Sequence, residues 1–393
     1  MADHLMNTYK PLPVSFDHGE GAYLFDTRGE RYLDALSGIA VCGLGHAHPA
    51  VSKAICEQAG RLLHTSNLYR IGLQEQLADE LCKVAGMDRV FFSNSGAEAN
   101  EAAIKLARLH GHHRGIDNPQ IIVTEGSFHG RTLATLTATG NRKIQAGFEP
   151  LVKGFLRAPY DDLQAVRTIA ENSPDVVAVL VEPITGEGGI RIPAPDYLRE
   201  LRALCDTHNW LLILDEIQTG MGRTGRWFAH QHTGIVPDVM TLAKGLGNGM
   251  PIGACLARGE AAGVFQPGNH GSTFGGNPLA ASAALAVLRT IGTEGLADRA
   301  AELGTHMLEA FRQRLSGVPG VVEIRGCGLM LGIELDRPCA ALMQQALERG
   351  LLINVTADKV VRLLPPLIIS TEQADTIIAG VCELIEQFTG DAA

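Results

Sequence analysis

One lysine of the chain stands in a setting that suits covalent or acid–base chemistry. Lys244 follows the apolar stretch 239–243 and begins a glycine-rich segment, K-G-L-G-N-G-M-P-I-G. The glycines allow the backbone to come close to a flat ligand. An ammonium group desolvated there would have a lowered pKa, as a Schiff-base or general-base lysine requires. The alternative is a solvated lysine beside a glycine turn, and Lys244 alone does not decide between them.

A carboxylate stands at the end of an apolar run of strand length. Asp215 directly follows Trp210 to Leu214. In open α/β sheets, ligands bind beyond the carboxyl ends of the strands, so this carboxylate could pair with a cationic group of a ligand. The alternative is an aspartate that caps the following turn.

A second candidate segment joins a strand to a helix. Residues 93–98 read S-N-S-G-A-E and precede a helical pattern, so free backbone N–H groups and the helix dipole would face an anion such as phosphate. Ser95 and Glu98 also match an S-x-x-E capping box, which is a purely structural role. Gly96 favours the anion, because a plain cap does not need a glycine.

Two further loops carry groups that could hold a planar or anionic ligand. In the segment 125–131, Phe128 could stack on a ring and Arg131 could bind a carboxylate through its planar guanidinium. Ser272 and Thr273 offer hydroxyl groups just before a predicted helix start at Asn277. Taken singly, each has an ordinary alternative: a core phenylalanine, a surface arginine and a polar loop.

A glycine motif offers a rival interpretation. Gly220, Gly222 and Gly225 spell G-x-G-x-x-G, and Asp238 stands near the offset of a ribose-binding acid in a dinucleotide site. However, Gly220 comes six residues after Leu214 rather than at the strand's tip, and Pro237 interrupts the approach to the next strand. Nicotinamide binding is therefore disfavoured.

The elements that must position these residues have an α/β pattern. Strand-length apolar runs alternate with helical patterns, which predicts βαβ units and a largely parallel sheet. The predicted strands are 89–92, 120–123, 176–181 and 210–214, with helices at 97–110 and 195–208. After Pro278 a helical stretch leads to strands at 321–324, 329–334, 351–355 and 360–364, which we expect to form a smaller second domain.

Composition narrows the function classes. With 33 Lys and Arg against 43 Asp and Glu, the net charge is −10, so nucleic acid is an unexpected partner. No apolar run approaches the roughly 18 residues that a membrane helix needs, and a cytoplasmic protein is expected. The eight cysteines include no C-x-x-C pair, and three histidine pairs lack a second ligand pair at metal spacing, so we expect no metal.

Eight segments, in one order along nearly the whole chain, resemble the class-III pyridoxal-phosphate aminotransferases, and within them the acetylornithine branch. The segments are LSGIAVCGLGHAHP, FFSNSGAEANE, FHGRT, VEPITGEGG, LILDEIQTGMGRTG, AKGLGNGMPIG, HGSTFGGNP and VRLLPPL. The resemblance implies a fold-type I transferase: a large domain on a mostly parallel sheet, and a smaller α+β domain from the two chain ends. The expected boundaries are 1–60 and 286–393 for the small domain, and 61–285 for the large one.

The resemblance also implies a role for each motif residue around pyridoxal 5′-phosphate. Lys244 would form the Schiff base, and Asp215 would meet the ring nitrogen. The other expected cofactor contacts are Gly96 and Ala97 at the phosphate, Phe128 over the ring, Glu216, Ile217, Gln218 at the ring hydroxyl, and Thr273 at the phosphate of a neighbouring subunit. A homodimer with shared active sites is therefore expected.

For the substrates, the resemblance implies N2-acetylornithine and 2-oxoglutarate. Arg131 and Ser272 would bind the carboxylate end of acetylornithine, and Arg362 the α-carboxylate of the dicarboxylate. Glu187 would pair with Arg362 in one half-reaction and swing away in the other.

Two positions bear on which amine is used. Ornithine aminotransferases have a tyrosine where this chain has Ile39, so an acylated substrate is favoured. Cys42 and Gly43 depart from the acetylornithine pattern, which leaves succinylornithine or N-succinyl-diaminopimelate as alternatives. Ornithine and 4-aminobutyrate are further alternative substrates. A protein that binds the cofactor without catalysis is an alternative function.

Overall fold

The computed structural model describes residues 4–390, which contain fifteen strands, twelve α-helices and three short 3-10 helices. The strands are β1 Phe16–Glu20, β2 Tyr23–Asp26, β3 Arg31–Asp34, β4 Arg89–Ser93, β5 Gln120–Thr124, β6 Phe155–Ala158, β7 Val176–Val181, β8 Leu211–Asp215, β9 Val239–Leu242, β10 Gly253–Ala257, β11 Val321–Cys327, β12 Met330–Leu335, β13 Leu351–Leu352, β14 Asn354–Thr356 and β15 Val360–Leu363. The helices are α1 Ser37–Ala40, α2 Pro49–Ala59, α3 Gly72–Ala85, α4 Gly96–His113, α5 Leu133–Ala138, α6 Arg142–Gln145, α7 Leu163–Asn172, α8 Tyr197–His208, α9 Pro278–Thr293, α10 Leu296–Arg314, α11 Ala341–Glu348 and α12 Thr371–Gly390.

A seven-stranded sheet forms the centre of the molecule, in the order β4-β10-β9-β8-β7-β5-β6. Strands β9, β8, β7, β5 and β6 are parallel to one another, and β10 is antiparallel to both of its neighbours, β4 and β9. This arrangement confirms the predicted α/β class and mostly parallel sheet.

Both faces of the central sheet are covered, which explains its uninterrupted apolar strands. In β8, Ile213 packs with residues of α4 on one face, whereas Leu212 and Leu214 pack with residues of α8 on the other. All six residues of β7 are buried. Strands buried on both faces lack the apolar–polar alternation of a half-exposed strand, and these read as continuous apolar runs in the sequence.

The two chain ends meet in a smaller sheet, β1-β2-β3-β13, in which β13 pairs parallel with β3. A second four-stranded sheet, β11-β12-β15-β14, is antiparallel and is called the C-terminal sheet below. The predicted single strand 351–355 therefore divides at Ile353 between two sheets. Its two halves pair with different strands, which a continuous apolar run in the sequence does not reveal.

Helix α9 connects the segment that forms the central sheet with the segment that forms the C-terminal sheet. It packs against α2 and α3, and its buried face is rich in alanine, which allows helices to approach closely. The expected domain boundary at 285 falls inside this helix, so a division would have to move to one of its ends. The division into domains itself stays a prediction.

Asp238, the acid of the rival dinucleotide motif, lies at the wrong edge of the sheet. Its Oδ2 accepts the backbone N–H of Leu212, 2.7 Å away at the beginning of β8, and a hydrogen bond from Arg202 at 2.6 Å. Asp215, by contrast, ends β8 at the carboxyl edge. The G-x-G-x-x-G segment and its acid therefore do not form one ligand site.

No single helix in the described residues is long and apolar enough to cross a membrane; α9 and α10 pass that test only as a pair, bent by 64°. All eight cysteines are free. Within residues 4–390, no group of three or more His, Cys, Asp or Glu side chains could hold a metal ion.

Candidate active site

The carboxylate of Asp215 is buried at the carboxyl end of β8, and its two oxygens have different partners. Oδ2 accepts hydrogen bonds from Asn100 Nδ2 and His129 Nδ1, each at 2.7 Å. Oδ1 accepts only the backbone N–H of Ile217, at 3.1 Å. A carboxylate oxygen has two lone pairs, so Oδ1 can accept a further hydrogen bond from a ligand.

Asn100 and His129 are functional neighbours that the sequence did not single out. Asn100 is held by Thr241, whose hydroxyl donates to its Oδ1 at 2.7 Å, and its Nδ2 also donates to the His129 carbonyl. The Nε2 atom of His129 is buried and has no hydrogen-bond partner in the structure. His129 lies within the F-H-G-R-T motif, but only the fold brings it to Asp215.

Lys244 lies two residues after the end of β9, the neighbour of β8, in a left-handed conformation with φ of 45°. Burial lowers the pKa of its ammonium group to about 8, although the charge of Glu187 acts in the opposite direction. Arg362 lowers this pKa further, and Asp215 and Glu182 raise it. The structure thus places Lys244 near Glu187, Arg362 and Asp215, which were expected at the site, and near Glu182, which was not.

Arg362 on β15 is fully buried and ion-paired. Its NH1 donates to Glu187 Oε1 at 2.6 Å, and its Nε and NH2 donate to Asn354 Oδ1 at 3.1 and 2.7 Å. Gln218 lies beside the pair, with its Nε2 3.4 Å from the same Glu187 oxygen. Burial opposes ionisation of Glu187, but Arg362 keeps the pKa of this carboxyl below its ordinary value.

The start of α4 has free backbone N–H groups, and it also has a cap formed by Ser95 and Glu98. Ser95 Oγ accepts the N–H of Glu98 at 3.2 Å, and Glu98 Oε2 accepts the N–H of Asn94 at 2.6 Å. Those bonds leave the N–H groups of Gly96 and Ala97 available, since the first residues of a helix have no acceptor within it. Capping and anion binding are therefore compatible.

Gly96 is favoured by packing as well as by a ligand. A Cβ atom at this position would lie 2.7 Å from Cδ1 of Ile217. The turn after β8 and the start of α4 therefore approach each other closely. The sequence had connected this glycine with an anion only; Ile217 supplies the independent reason.

Both carboxylate oxygens of Glu216, an expected cofactor contact, have partners within the protein. Its Oε2 accepts from Thr219 and from the N–H of Ala229, and its Oε1 accepts from the backbone and ring of His230. Both oxygens are thus occupied in holding the segment 216–230 together. Glu216 comes one residue after Asp215, so its side chain projects from the opposite side of the backbone. A cofactor contact by Glu216 stays a prediction.

Phe128 and Arg131 lie in the loop after β5, with the guanidinium carbon of Arg131 5.6 Å from the centre of the Phe128 ring. The backbone N–H of Phe128 donates to the buried Glu182 at 3.1 Å, and burial raises the pKa of that carboxyl. Glu182 directly follows the all-apolar β7, much as Asp215 follows the apolar residues Leu211 to Leu214 of β8. The same signal in the sequence could have identified it.

Ser272 and Thr273 lie beside the start of α4 in the same chain. Ser272 Oγ accepts from Asn94 Nδ2 at 3.2 Å, and a cleft of about 370 Å³ runs between this loop and α4. Thr273 is exposed. The structure does not bring Ser272 and Arg131 into contact, and their joint role stays a prediction.

Ile39 belongs to the helical turn α1, whose four residues all have positive φ, from 47° to 66°. Left-handed backbone costs roughly 1–2 kcal/mol for each non-glycine residue, so the surrounding structure must hold this turn. Asp34 Oδ1 does so by accepting the N–H groups of Leu36 and Ser37 at 2.8 Å. Ile39 is thereby packed near Ile190, which follows Glu187 by three residues.

The fold is that of a transferase, and the site holds a buried lysine among charged side chains. The chain matches the model of the aminotransferase class-III family over residues 5–385, and it belongs to that family. Its cofactor is pyridoxal 5′-phosphate.

Similar proteins include acetylornithine aminotransferases and ornithine aminotransferases. The acetylornithine aminotransferase of Nitrosomonas europaea is 60% identical over 385 residues, 98% of each chain. The structure of N-acetylornithine aminotransferase from Stenotrophomonas maltophilia has a TM-score of 0.85, 38% identity, and coverage of 97% of this chain and 98% of that one. Ornithine aminotransferase from Toxoplasma gondii has a TM-score of 0.95 and 36% identity, over 99% and 94%.

The residues present fit the cofactor. Asp215 Oδ1 keeps acceptor capacity for a protonated ring nitrogen, and its geometry is fixed by the bonds to its other oxygen. The N–H groups of Gly96 and Ala97 are suited to the phosphate. Lys244, with its lowered pKa, supplies an amine that is partly neutral near pH 8.

Proposed function

We propose that this protein transfers the terminal amine of N2-acetylornithine to 2-oxoglutarate, giving N-acetylglutamate 5-semialdehyde and glutamate in arginine biosynthesis. The observation that carries the proposal is the ion pair between Glu187 and Arg362, 2.6 Å apart, beside Lys244. The names of the similar acetylornithine aminotransferases support the choice of substrate.

The ion pair suits an enzyme that must accept two unlike substrates at one site. A terminal amine brings no carboxylate to the reacting carbon, so an unpaired Arg362 would be a buried, uncompensated charge. Glu187 neutralises it. For a dicarboxylate, Glu187 moves aside and Arg362 binds the α-carboxylate with its planar fork. Glu187 can move because 37% of its side chain is exposed, whereas 1% of Arg362 is.

Lys244 and Asp215 are proposed as the catalytic residues. Bound pyridoxal phosphate supplies the electron sink for the carbanion at the reacting carbon. Asp215 keeps the ring nitrogen protonated, and Asn100 and His129 hold its carboxylate in place. Lys244 Nζ, when free, moves the proton from the substrate carbon. Phe128 covers the ring, Gln218 meets the ring hydroxyl, and Ile217 supports the turn.

The far end of the donor is proposed to meet Arg131, Ser272 and Ile39. Arg131 is exposed at the mouth of the Phe128 loop and can bind a carboxylate. Ile39 offers an apolar surface without a hydroxyl group, so an acyl group on the α-nitrogen meets no competing polar partner. This favours an acylated amine over free ornithine.

A homodimer is proposed in which Thr273 reaches the phosphate of the neighbouring subunit. Asn67 donates to the carbonyls of Ser272 and Gly275 at 3.1 Å, so the segments 62–69 and 272–275 form one surface. That surface exposes five large apolar side chains: Leu62, Leu63, Leu68, Tyr69 and Phe274. An exposed apolar patch of this kind is typical of a protein interface.

The free cysteines support a reducing compartment, and we propose the cytoplasm.

A panel of amine donors with 2-oxoglutarate tests the proposal. Values of kcat/KM for N2-acetylornithine, N2-succinylornithine, N-succinyl-diaminopimelate, ornithine and 4-aminobutyrate should rank the acetylated amine first. A higher kcat/KM for ornithine would contradict the role given to Ile39. A higher kcat/KM for a succinylated amine would show that the acyl group of the substrate is succinyl rather than acetyl. No visible absorbance change with any donor would indicate a non-catalytic cofactor-binding protein.

A further inference from the structure

The loop that carries Glu187 is held by an arginine outside the site described so far. Arg325 on β11 is buried, with 7% of it exposed. Its Nε and NH2 donate to the carbonyl of Gly189 at 3.1 and 2.6 Å, and its Nε also donates to the carbonyl of Ile190 at 3.0 Å. Both carbonyls belong to the segment 185–191, called the Glu187 loop below.

The register of the C-terminal sheet places Arg325 and Arg362 in one row. Arg325 lies opposite Gly332 of β12, and Gly332 lies opposite Arg362 of β15. Residues directly opposite each other in antiparallel strands project to the same face. Arg325 and Arg362 therefore share a face, with Gly332 between them.

Ile190 of the Glu187 loop occupies the gap over Gly332. A Cβ atom at Gly332 would lie 3.0 Å from Cβ of Ile190, and Ile190 is fully buried with φ of 55°. A β-branched residue in this conformation is strained and persists only if its surroundings hold it. Arg325 provides that hold through the carbonyl of Ile190 itself.

A second contact fixes the same loop at Glu187 itself. Thr356 Oγ1 on β14 donates to the backbone carbonyl of Glu187 at 2.7 Å. The backbone at Glu187 and just after it is thus attached to the sheet that carries Arg362. The side chain of Glu187 is left as the part that can move.

The charge of Arg325 is balanced away from Arg362. Its NH1 donates to Glu323 at 2.6 Å and to Glu334 at 2.7 Å, and Glu334 is also paired with Lys359 at 2.7 Å. Arg325 therefore does not need the loop for charge neutralisation. Its hydrogen bonds to the carbonyls of Gly189 and Ile190 hold the loop in position and neutralise no charge.

We propose that Arg325 is a positioning residue that fixes the Glu187 loop on the C-terminal sheet, so that Glu187 meets Arg362 when the terminal amine is the substrate. This inference rests on the switch role given to Glu187 under the proposed function. Loosening the loop weakens neutralisation of Arg362 and impairs the acetylornithine half-reaction. The glutamate half-reaction needs Glu187 displaced and is spared.

The test compares kcat/KM for N2-acetylornithine and for glutamate in single half-reactions of the holoenzyme. Arg325→Lys keeps the charge but cannot serve two carbonyls and two carboxylates at once. It should lower the acetylornithine-to-glutamate ratio by about tenfold, with the glutamate value changed less than about threefold. An equal loss for both substrates, or no change in the ratio, would overturn the proposal.

A milder variant and a matched control accompany it. Thr356→Val removes the hydrogen bond to Glu187 with little change in volume, and should shift the ratio in the same direction by about threefold. It keeps the test valid if Arg325→Lys does not fold. Arg312→Lys is the control, because Arg312 donates to the Ile324 carbonyl of the same strand but is not among the contacts of the loop. Its ratio should match that of the unaltered protein.

A double-mutant cycle separates this inference from the proposed function. In a Glu187→Ala background, Arg325→Lys should change the ratio no further, because Arg325 acts through Glu187. If Glu187→Ala alone leaves the ratio unchanged, the switch itself is wrong. If Glu187→Ala lowers the ratio and neither Arg325→Lys nor Thr356→Val does, only the positioning role fails.

Discussion

At the scale of single residues, the site depends on opposed electrostatic effects at Lys244. Burial disfavours the ammonium form, Glu187 and Asp215 favour it, and Arg362 disfavours it again. The net result is a pKa of about 8 instead of 10.5. Near neutral pH, a substantial minority of the lysine is then neutral and nucleophilic, whereas an ordinary lysine is almost wholly protonated.

The rate at which the apoprotein binds pyridoxal phosphate should follow this titration. Because the neutral amine reacts, the rate should rise with pH and level off above a midpoint near pH 8. Stopped-flow absorbance measures it. Glu187→Ala removes a charge that raises the lysine pKa, so its midpoint should move to lower pH. A midpoint near 10.5 in the unaltered protein would contradict the burial of Lys244.

The sequence predicted some of these residues and could not predict others. Asp215 was identified because it follows an apolar run of strand length. Lys244 was identified because it follows an apolar stretch and begins a glycine-rich segment. Asn100 gave no such signal, because a buried asparagine inside a helix looks like any polar helical residue until the fold brings Thr241 to it. Arg325 was missed for a similar reason: its partners are carbonyls some 135 residues away in the chain.

At the scale of elements, the left-handed turn α1 depends on one buried carboxylate. Asp34 holds the turn through Oδ1, and its Oδ2 lies 2.8 Å from Nε2 of His46. Burial alone would lower the His46 pKa, but the bonds to Asp34 and Cys42 raise it to about 9. Alternating apolar patterns do not reveal such a turn, so the sequence showed α1 only as part of a motif.

The stability of the protein should depend on His46 in a defined pH window. The folded-state pKa of about 9 exceeds the ordinary value of 6.5, so the stabilising contribution is complete below pH 6.5 and is lost as pH rises through 9. At pH 6, His46→Gln should melt about 2 °C below the unaltered protein, and the difference should shrink by pH 9.5. Thermal melts followed by circular dichroism measure it. A difference that grows with pH would contradict the ion pair.

Elements of the fold differ in how far the sequence specified them. The strands β4, β5, β7 and β8 were predicted within one residue at each end, because the apolar residues of each strand follow one another without interruption. Strand β10 was missed: its sequence, G-A-C-L-A, is short and small, and its pairing with β4 and β9 is antiparallel. Pairing between distant segments decides such strands.

At the scale of the whole molecule, the proposed homodimer depends on one exposed surface. The surface formed by residues 62–69 and 272–275 exposes apolar side chains next to the start of α4. A partner covering it would place the exposed Thr273 of one subunit near the phosphate-binding residues of the other. The site would then be complete only in the dimer.

A charge in this surface should separate the subunits. Phe274→Asp should sediment as a monomer and bind pyridoxal phosphate at least about tenfold more weakly, because a buried unpaired charge at an interface costs several kcal/mol. Val322→Asp is the control, since Val322 has the same exposure of 58% on β11. Retained dimer and cofactor affinity in Phe274→Asp, or a monomeric unaltered protein, would be inconsistent with shared active sites.

The most direct test of the whole account is the turnover of Lys244→Ala. The variant, loaded with pyridoxal phosphate, is mixed with excess N2-acetylornithine and 2-oxoglutarate, and glutamate is counted per active site. We predict at most about one equivalent, because no other amine in the site can move the proton and release the product. Continued turnover at the rate of the unaltered protein would show that Lys244 is not the catalytic lysine.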